Sequence, residues 1–192
     1  MNPLLHPFET APFSKLKNEH FKPAILNAIE MARAEIETIS SSKEAPNFSN
    51  TIEALEFSGR QLDLVTNIFF NLNSAETNEE IQKIAQEVSP LLSEFKNDII
   101  LNKPLFERVK EVYMQRSSLD LTVEQKMLLD KKYKAFSRNG ANLPEDKKSE
   151  LREIDKELAS LTLKFGENVL AESNRFEMHI TNEMILRAYR KV

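Results

Sequence analysis

Apolar residues recur at three- and four-residue steps along most of this chain, which is the spacing of one face of an α-helix. The pattern predicts six helices with short connections between them. In chain order they cover residues 18 or 22 to 40, then 51–72, 78–101, 104–115, 123–138 and 144–173. No internal repeat of fixed period is visible, so the pattern favours an all-α antiparallel bundle over a solenoid.

Local signals mark the ends of several of these helices. Three pairs have the spacing of a capping box: Asn50 with Glu53, Thr77 with Glu80, and Thr122 with Gln125. Pro90 interrupts the third helix and predicts a kink there. Gly59 falls inside the second helix at a cost of about 1 kcal/mol relative to Ala, which predicts close approach of a neighbouring helix. Asn139 and Gly140 predict a left-handed turn after the fifth helix.

The sixth helix is the longest, and its apolar residues form a seam like that of a coiled coil. The seam alternates three- and four-residue steps through Leu151, Ile154, Leu158, Leu161 and Phe165. The next seam position is polar, since it falls on Asn168.

The two ends of the chain follow other patterns. Residues 1–16 contain three prolines and predict an extended arm, which Phe8 and Phe13 would pin to the helical body. Residues 17–176 form the predicted helical domain. Residues 177–192 form a tail, and at its start residues 176–180 alternate apolar and polar positions. That alternation predicts a short strand without a visible partner, whose backbone groups would be unpaired.

Composition restricts the chemistry that 192 residues of this kind can perform. The chain has no Cys, which excludes disulfides, cysteine nucleophiles and thiolate metal sites. The formal net charge of −4 argues against a nucleic-acid-binding face. The start shows no signal-peptide pattern, and no apolar run approaches the roughly 20 residues that span a bilayer. We therefore expect a cytoplasmic protein without membrane or nucleic-acid partners.

The three histidines, His6, His20 and His179, are too scattered to predict a metal site. None lies four residues from another, and no H-E-x-x-H sequence occurs. A zinc site needs three or four ligands close together, so structural or surface roles are expected for all three. No G-x-S-x-G sequence or Gly-rich phosphate loop is present either.

Other polar and aromatic clusters have ordinary structural explanations. Glu79-Glu80 and the run 145–157 are typical of solvated helix faces, because the second mixes acidic with basic residues. Phe69-Phe70 could line a ligand groove, but a core position is the commoner role of such a pair. By themselves the residues predict a helical module with no catalytic, cofactor-binding or metal-binding residue.

Several stretches across helices, caps and loops nevertheless carry a resemblance to a known family. They are residues 12–24 (PFSKLKNEHFKPA), 46–56 (PNFSNTIEALE), 69–72 (FFNL), 74–78 (SAETN), 136–143 (FSRNGANL), 157–161 (ELASL) with Phe165, and 171–174 (AESN). From about residue 2 to about 183 the chain resembles the N-terminal helical region of zinc metallopeptidases of the thimet oligopeptidase family. The dipeptidyl carboxypeptidase and oligopeptidase A branch is the nearer one.

The resemblance implies a role without implying a site. Family members are almost wholly helical and enclose a deep channel that admits peptides but not folded proteins. Their H-E-x-x-H zinc motif, a further Glu ligand and the substrate-orienting His and Tyr residues lie later in the chain than the region matched here. The resemblance therefore implies part of a channel wall, oligopeptides as partners of the whole enzyme, zinc in the full-length family, and no zinc or catalysis in this chain alone.

Residues 184–192 depart from the family pattern, which continues after Glu183 with acidic residues, a hydrophobic residue and then x-Gly-Leu-Pro-Glu-Ser. This sequence reads MILRAYRKV instead. One choice of codons for these nine residues, read with a single added G, gives DDFKGLPES. We expect a single-base deletion after Glu183, which the gene sequence downstream of codon 192 tests.

Two other interpretations and one consequence remain open from the sequence. The chain could be a stand-alone helical module that binds peptides or a protein without catalysis, in which case its whole surface should be polar. A separately encoded downstream polypeptide could complete the enzyme. If the chain is a truncated peptidase, the face left without its catalytic half should be an exposed apolar patch, and the chain should self-associate.

Overall fold

The computed structural model of the chain describes residues 2–6, 8 and 10–179. Seven α-helices lie in this part of the chain: α1 (Phe21–Ser40), α2 (Ala54–Phe57), α3 (Arg60–Ala75), α4 (Glu79–Ile100), α5 (Lys103–Met114), α6 (Val123–Arg138) and α7 (Glu145–Arg175). Six of them have twelve residues or more, so the predicted all-α class is confirmed. The antiparallel order of the bundle and the domain boundaries stay predictions.

The second predicted helix is divided into three pieces. A π-helical turn (Phe48–Glu53) leads into the single turn α2, the chain breaks at Ser58 and Gly59, and α3 then begins. Gly59 has φ of 74°, which is a left-handed conformation that favours glycine. The prediction of an uninterrupted helix is therefore wrong, and Gly59 is where the chain turns.

Two of the three predicted caps are replaced by neighbouring asparagines. Asn47 and Asn50 form a reciprocal box in which each side-chain oxygen accepts from the other's backbone N–H at 2.9 Å. Asn78 begins α4 by accepting from the backbone N–H of Ile81 at 3.0 Å. The predicted boxes at Asn50–Glu53 and Thr77–Glu80 are wrong, because asparagine competes well for the same unpaired helix N–H groups.

The box at Thr122 and Gln125 is confirmed by two hydrogen bonds, of 3.0 and 3.3 Å. Gly140 follows α6 with φ of 99°, as the predicted left-handed turn requires. Pro104 lies in the first turn of α5, after the cap Asn102. Helix α4 continues through Pro90, and the predicted kink at this residue stays a prediction.

The core consists of two clusters of buried side chains, and α1 contributes to both. The first cluster joins α1 as far as Ala32 to α3 and α4. The second joins Ile36 and Ile39 of α1 to the π-helical turn, α2, α5 and α6. Ile99 on α4 packs against both clusters. Helix α1 therefore runs without interruption from one packed region into the other.

The N-terminal arm is held by Leu4 and by Phe8, one of its two predicted anchors. Leu4 is completely buried in the first cluster, and its carbonyl accepts a hydrogen bond of 3.0 Å from Gln61. Phe8 packs against the same cluster. Phe13 is exposed, so the prediction that it anchors the arm is wrong.

At the other end of the described chain, α7 packs along α4 and turns its predicted seam outward. Leu163 contacts the first cluster, whereas Ile154, Leu158 and Leu161 are about half exposed and Phe165 is 71% exposed. Residues 176–179 do not form a strand, so that prediction is wrong for them. The last residue of the predicted strand, Ile180, and the tail segment 184–192 lie outside the described residues.

Candidate functional site

A groove runs between α7 and the helices α3 and α4. Two cavities of about 430 and 510 Å³ adjoin along it and share Thr162 and Leu163 of α7. Phe70 lines the second cavity, while its neighbour Phe69 is completely buried in the core, as predicted for such a pair. The groove thus mixes an apolar floor with hydroxyl groups along one side.

A third cavity, of about 410 Å³, continues the groove towards the start of α7. Asp155 borders both this cavity and its neighbour. The turn after α6 forms one wall through Arg138, Asn139 and Gly140. Asn97 of α4, which is 5% exposed, lines the cavity as a buried polar side chain. A surface of this length and polarity suits contact with extended peptide or with another helix.

Charged side chains fix the position of α7 beside the groove. Asp98 on α4 receives hydrogen bonds from Arg152 of α7, at 2.7 Å, and from Arg33 of α1. Farther along, Gln86 donates to both carboxylate oxygens of Glu167 at 3.1 and 2.9 Å. These contacts hold α7 against α4 at two places along the groove.

Two buried cations are structural residues that the sequence analysis missed. Arg108 of α5 is 7% exposed and donates to the carbonyls of Ser42 and Glu44 at 3.1 and 2.9 Å. It also donates to the side chains of Asn50 and Thr51. No periodic signal marks such an arginine, because its partners lie in an irregular loop more than 50 residues earlier.

Lys148 is the second buried cation. It is 4% exposed, and its ammonium group donates to the carbonyl of Leu101 at 3.3 Å and to Glu145 at 2.9 Å. The hydrogen bond from Lys148 holds the pKa of Glu145 below its ordinary value. A cation at this carbonyl also complements the negative end of the α4 dipole.

The three histidines have separate surroundings and do not form a zinc site like that of the family. His6 is exposed, and the Nδ1 atom of His20 accepts a hydrogen bond of 3.1 Å from the backbone of Lys17. His179 is exposed, with Nε2 at 3.4 Å from Glu177. Within the described ranges, no group of three or more His, Asp or Glu side chains could hold a metal ion.

None of the helices in the described part of the chain is both long enough and apolar enough to cross a membrane. No family model matches the sequence.

The chain is homologous to a segment of peptidases of the thimet oligopeptidase family. It is 39% identical over 176 residues to the dipeptidyl carboxypeptidase of Salmonella typhimurium and 38% identical over 175 residues to that of Escherichia coli. These matches cover 90% and 89% of this chain. Oligopeptidase A of Escherichia coli is 27% identical over 182 residues, which is 95% of the chain.

The match covers much less of the relatives than of this chain. It spans 26% of each dipeptidyl carboxypeptidase and 27% of oligopeptidase A. The chain therefore spans about a quarter of the length of the curated relatives it matches.

Proposed function

We propose that this chain is the N-terminal helical part of a cytoplasmic, zinc-dependent peptidyl-dipeptidase or oligopeptidase. The zinc ligands and the catalytic groups belong to a part of the enzyme that these 192 residues do not include. By itself the chain neither binds zinc tightly nor hydrolyses peptides. In the whole enzyme it forms part of the wall of a peptide channel and restricts substrates to short, unstructured peptides.

The observation that carries this proposal is the extent of the homology. A 39% identity that runs over 90% of the chain, loops included, supports a common fold for the matched quarter of the dipeptidyl carboxypeptidases. The names of the relatives supply the activity, and it is a property of those whole proteins. The histidines of this chain are dispersed, which supports placing the metal elsewhere in the enzyme.

The channel-wall role is supported by the shape of the described surface. A groove runs along α7 over three adjoining cavities. Its sides carry hydroxyl, amide and carboxylate groups such as Thr162, Asn97 and Asp155. Such groups can hydrogen-bond to the backbone of an extended peptide, whereas a folded protein presents few free backbone groups.

The competing interpretation, a stand-alone binding module, predicts a polar surface throughout. The exposed seam of Leu158, Leu161 and Phe165 does not have that character. An exposed apolar stripe is expected where a helical domain borders further protein. For this reason the peptidase segment is preferred over the stand-alone module.

A chimera provides the decisive test. The matching segment of Escherichia coli dipeptidyl carboxypeptidase is replaced by residues 2–179 of this chain, and zinc-dependent release of dipeptides from short peptides is measured. We expect an active chimera and no activity from the 192-residue chain with zinc. The control chimera carries an unrelated helical segment of equal length and should be inactive.

Zinc content and thermal unfolding of the chimera separate a failed function from a failed fold. A folded, zinc-loaded chimera without activity would contradict the proposal, as would zinc-dependent hydrolysis by the chain alone. Mixing the chain with a separately produced catalytic part tests whether two polypeptides complement each other. Activity that appears only in the mixture supports the version of the proposal with a separately encoded catalytic part.

A further inference from the structure

Four of the five seam residues of α7 form an exposed apolar stripe, whereas the first, Leu151, is partly buried. Ile154, Leu158 and Leu161 are 54%, 52% and 53% exposed, and Phe165 is 71% exposed. The helix meets the body through a different face, from which Leu163 packs against the first core cluster. Helix α7 therefore has two apolar faces, and only one of them is covered within the described chain.

Charged residues beside this stripe are free to pair with another molecule. Glu157 and Lys164 each lie one position before a seam residue, and both are exposed. The ion pairs within α7 use other side chains: Lys147 with Glu150, Lys148 with Glu145, and Arg175 with Glu172. These two flanking positions thus carry one negative and one positive group, seven residues apart.

We propose that a second copy of this chain covers the seam, with the two α7 helices antiparallel. Leu158 of each copy then lies opposite Leu161 of the other, and Ile154 lies opposite Phe165. This register brings Glu157 of one copy beside Lys164 of the other, twice by symmetry. Their axial offset is two residues, about 3 Å, and both side chains lean towards each other because each points to its own N-terminus.

Charge selects this register over its neighbours. A shift of one heptad in one direction places Lys164 opposite Lys164 of the other copy. A shift in the opposite direction places Glu157 opposite Glu157. The second shift also brings Glu150 beside Lys164. Like charges at such positions are destabilising, so only the unshifted register pairs opposite charges without a like-charge contact.

The parallel arrangement is disfavoured by the same residues. In a parallel pair of helices, Glu150 of one copy would lie beside Asp155 of the other, and Glu157 would lie beside Thr162. The first contact is repulsive and the second carries no charge pairing. The inference concerns the 192-residue chain by itself and does not rest on the proposed enzyme, so either can fail alone.

Analytical ultracentrifugation of the full chain gives the first test. We expect a dimer whose dissociation constant rises about tenfold or more in Glu157→Lys or Lys164→Glu, because each change converts two attractive contacts into two repulsive ones. The double variant Glu157→Lys with Lys164→Glu should restore the affinity. A strictly monomeric chain, or charge variants without effect on a dimer, would overturn the proposal.

Polar substitutions in the seam give the second test. Leu158→Gln with Leu161→Gln should abolish the dimer while the thermal unfolding of the monomer changes little, because both side chains are already half exposed. Met127→Gln on α6 is the matched control, since Met127 is also 53% exposed and lies away from the seam. A dimer that survives the seam variant, or is lost in the control, places the interface on another face.

Disulfide trapping determines whether the two α7 helices are parallel or antiparallel. The chain has no native cysteine that could form other disulfides. Ile154→Cys and Phe165→Cys chains are oxidised separately and as a mixture. The antiparallel register predicts a covalent dimer only in the mixture, because identical positions lie 11 residues, about 16 Å, apart along the axis. Covalent dimers of each single variant by itself would show a parallel pair and overturn the antiparallel assignment.

Discussion

Arg152 on α7 donates a hydrogen bond of 2.7 Å to Asp98 on α4, and Arg33 on α1 donates to the other oxygen of the same carboxylate. One acidic side chain therefore joins three helices. Its two partners bind different oxygens of the carboxylate, so the contact attaches α7 to α4 and α4 to α1.

The pair contributes modestly to stability because it is partly solvated. Side-chain exposures are 36% for Arg152 and 30% for Asp98. We expect the coupling energy in a double-mutant cycle of Arg152→Ala and Asp98→Ala to be about 0.5–1 kcal/mol. Urea unfolding of the four proteins measures it. The exposed pair Arg175–Glu172 serves as the control and should couple less, so equal coupling would contradict an organising role for Asp98.

Arg108 should matter far more than a surface arginine. Replacement by Met keeps the length of the side chain but leaves the carbonyls of Ser42 and Glu44 without their donor. We expect a loss of about 2–4 kcal/mol in the free energy of unfolding. Denaturant unfolding followed by circular dichroism measures this. Arg175→Met, at a site that is 77% exposed, should change stability by less than about 0.5 kcal/mol.

Gly140 and Gly166 should respond in opposite ways to the same substitution. Gly140 has φ of 99°, and a Cβ there would meet Leu151 at 2.6 Å, so Gly140→Ala should cost about 2–4 kcal/mol. A Cβ at Gly166 meets nothing within 4 Å. Because Gly166 lies inside α7, Gly166→Ala should stabilise by about 0.5–1 kcal/mol. Thermal unfolding of both variants tests this, and a loss of stability at Gly166 would contradict the open surroundings.

Stability should fall at acidic pH through carboxylates such as Glu145. Its pKa lies below the ordinary 4.5, chiefly because Lys148 donates a hydrogen bond to it. A carboxyl group whose pKa is lower in the folded state stabilises the protein above its unfolded pKa and loses this effect as the pH falls through the folded value. Urea midpoints between pH 7 and 2 should therefore decline less steeply below about pH 4.5 in Glu145→Gln. A decline in Glu145→Gln as steep as that of the parent chain would contradict this contribution of Glu145.

The sequence was sufficient to predict the helices, because their buried residues recur with the helical period. Helices α1, α4, α5 and α6 begin and end within about two residues of the predicted bounds, a normal uncertainty for helix ends. The break at Gly59 was missed, since the apolar spacing continues across it. Only the backbone conformation distinguishes a glycine that ends a helix from one that permits close packing.

The candidate site was harder to predict, for a physical reason that α7 illustrates. Its seam has coiled-coil spacing, but periodicity gives the direction of an apolar face and not what covers it. Leu163, outside the seam, is the residue that enters the core, while Phe165 in the seam faces outward. Arg108 and Lys148 were missed because the partners that allow a cation to be buried are distant in sequence.

The position of helix α1 across both core clusters affects how the chain unfolds. Its residues up to Ala32 belong to one core cluster, and Ile36 and Ile39 belong to the other. Unfolding of either cluster removes the packing partners of part of α1. The other cluster is therefore not expected to stay folded by itself. The amide protons of α3 and of α5 are therefore expected to exchange with solvent in one cooperative event, although the two helices belong to different clusters.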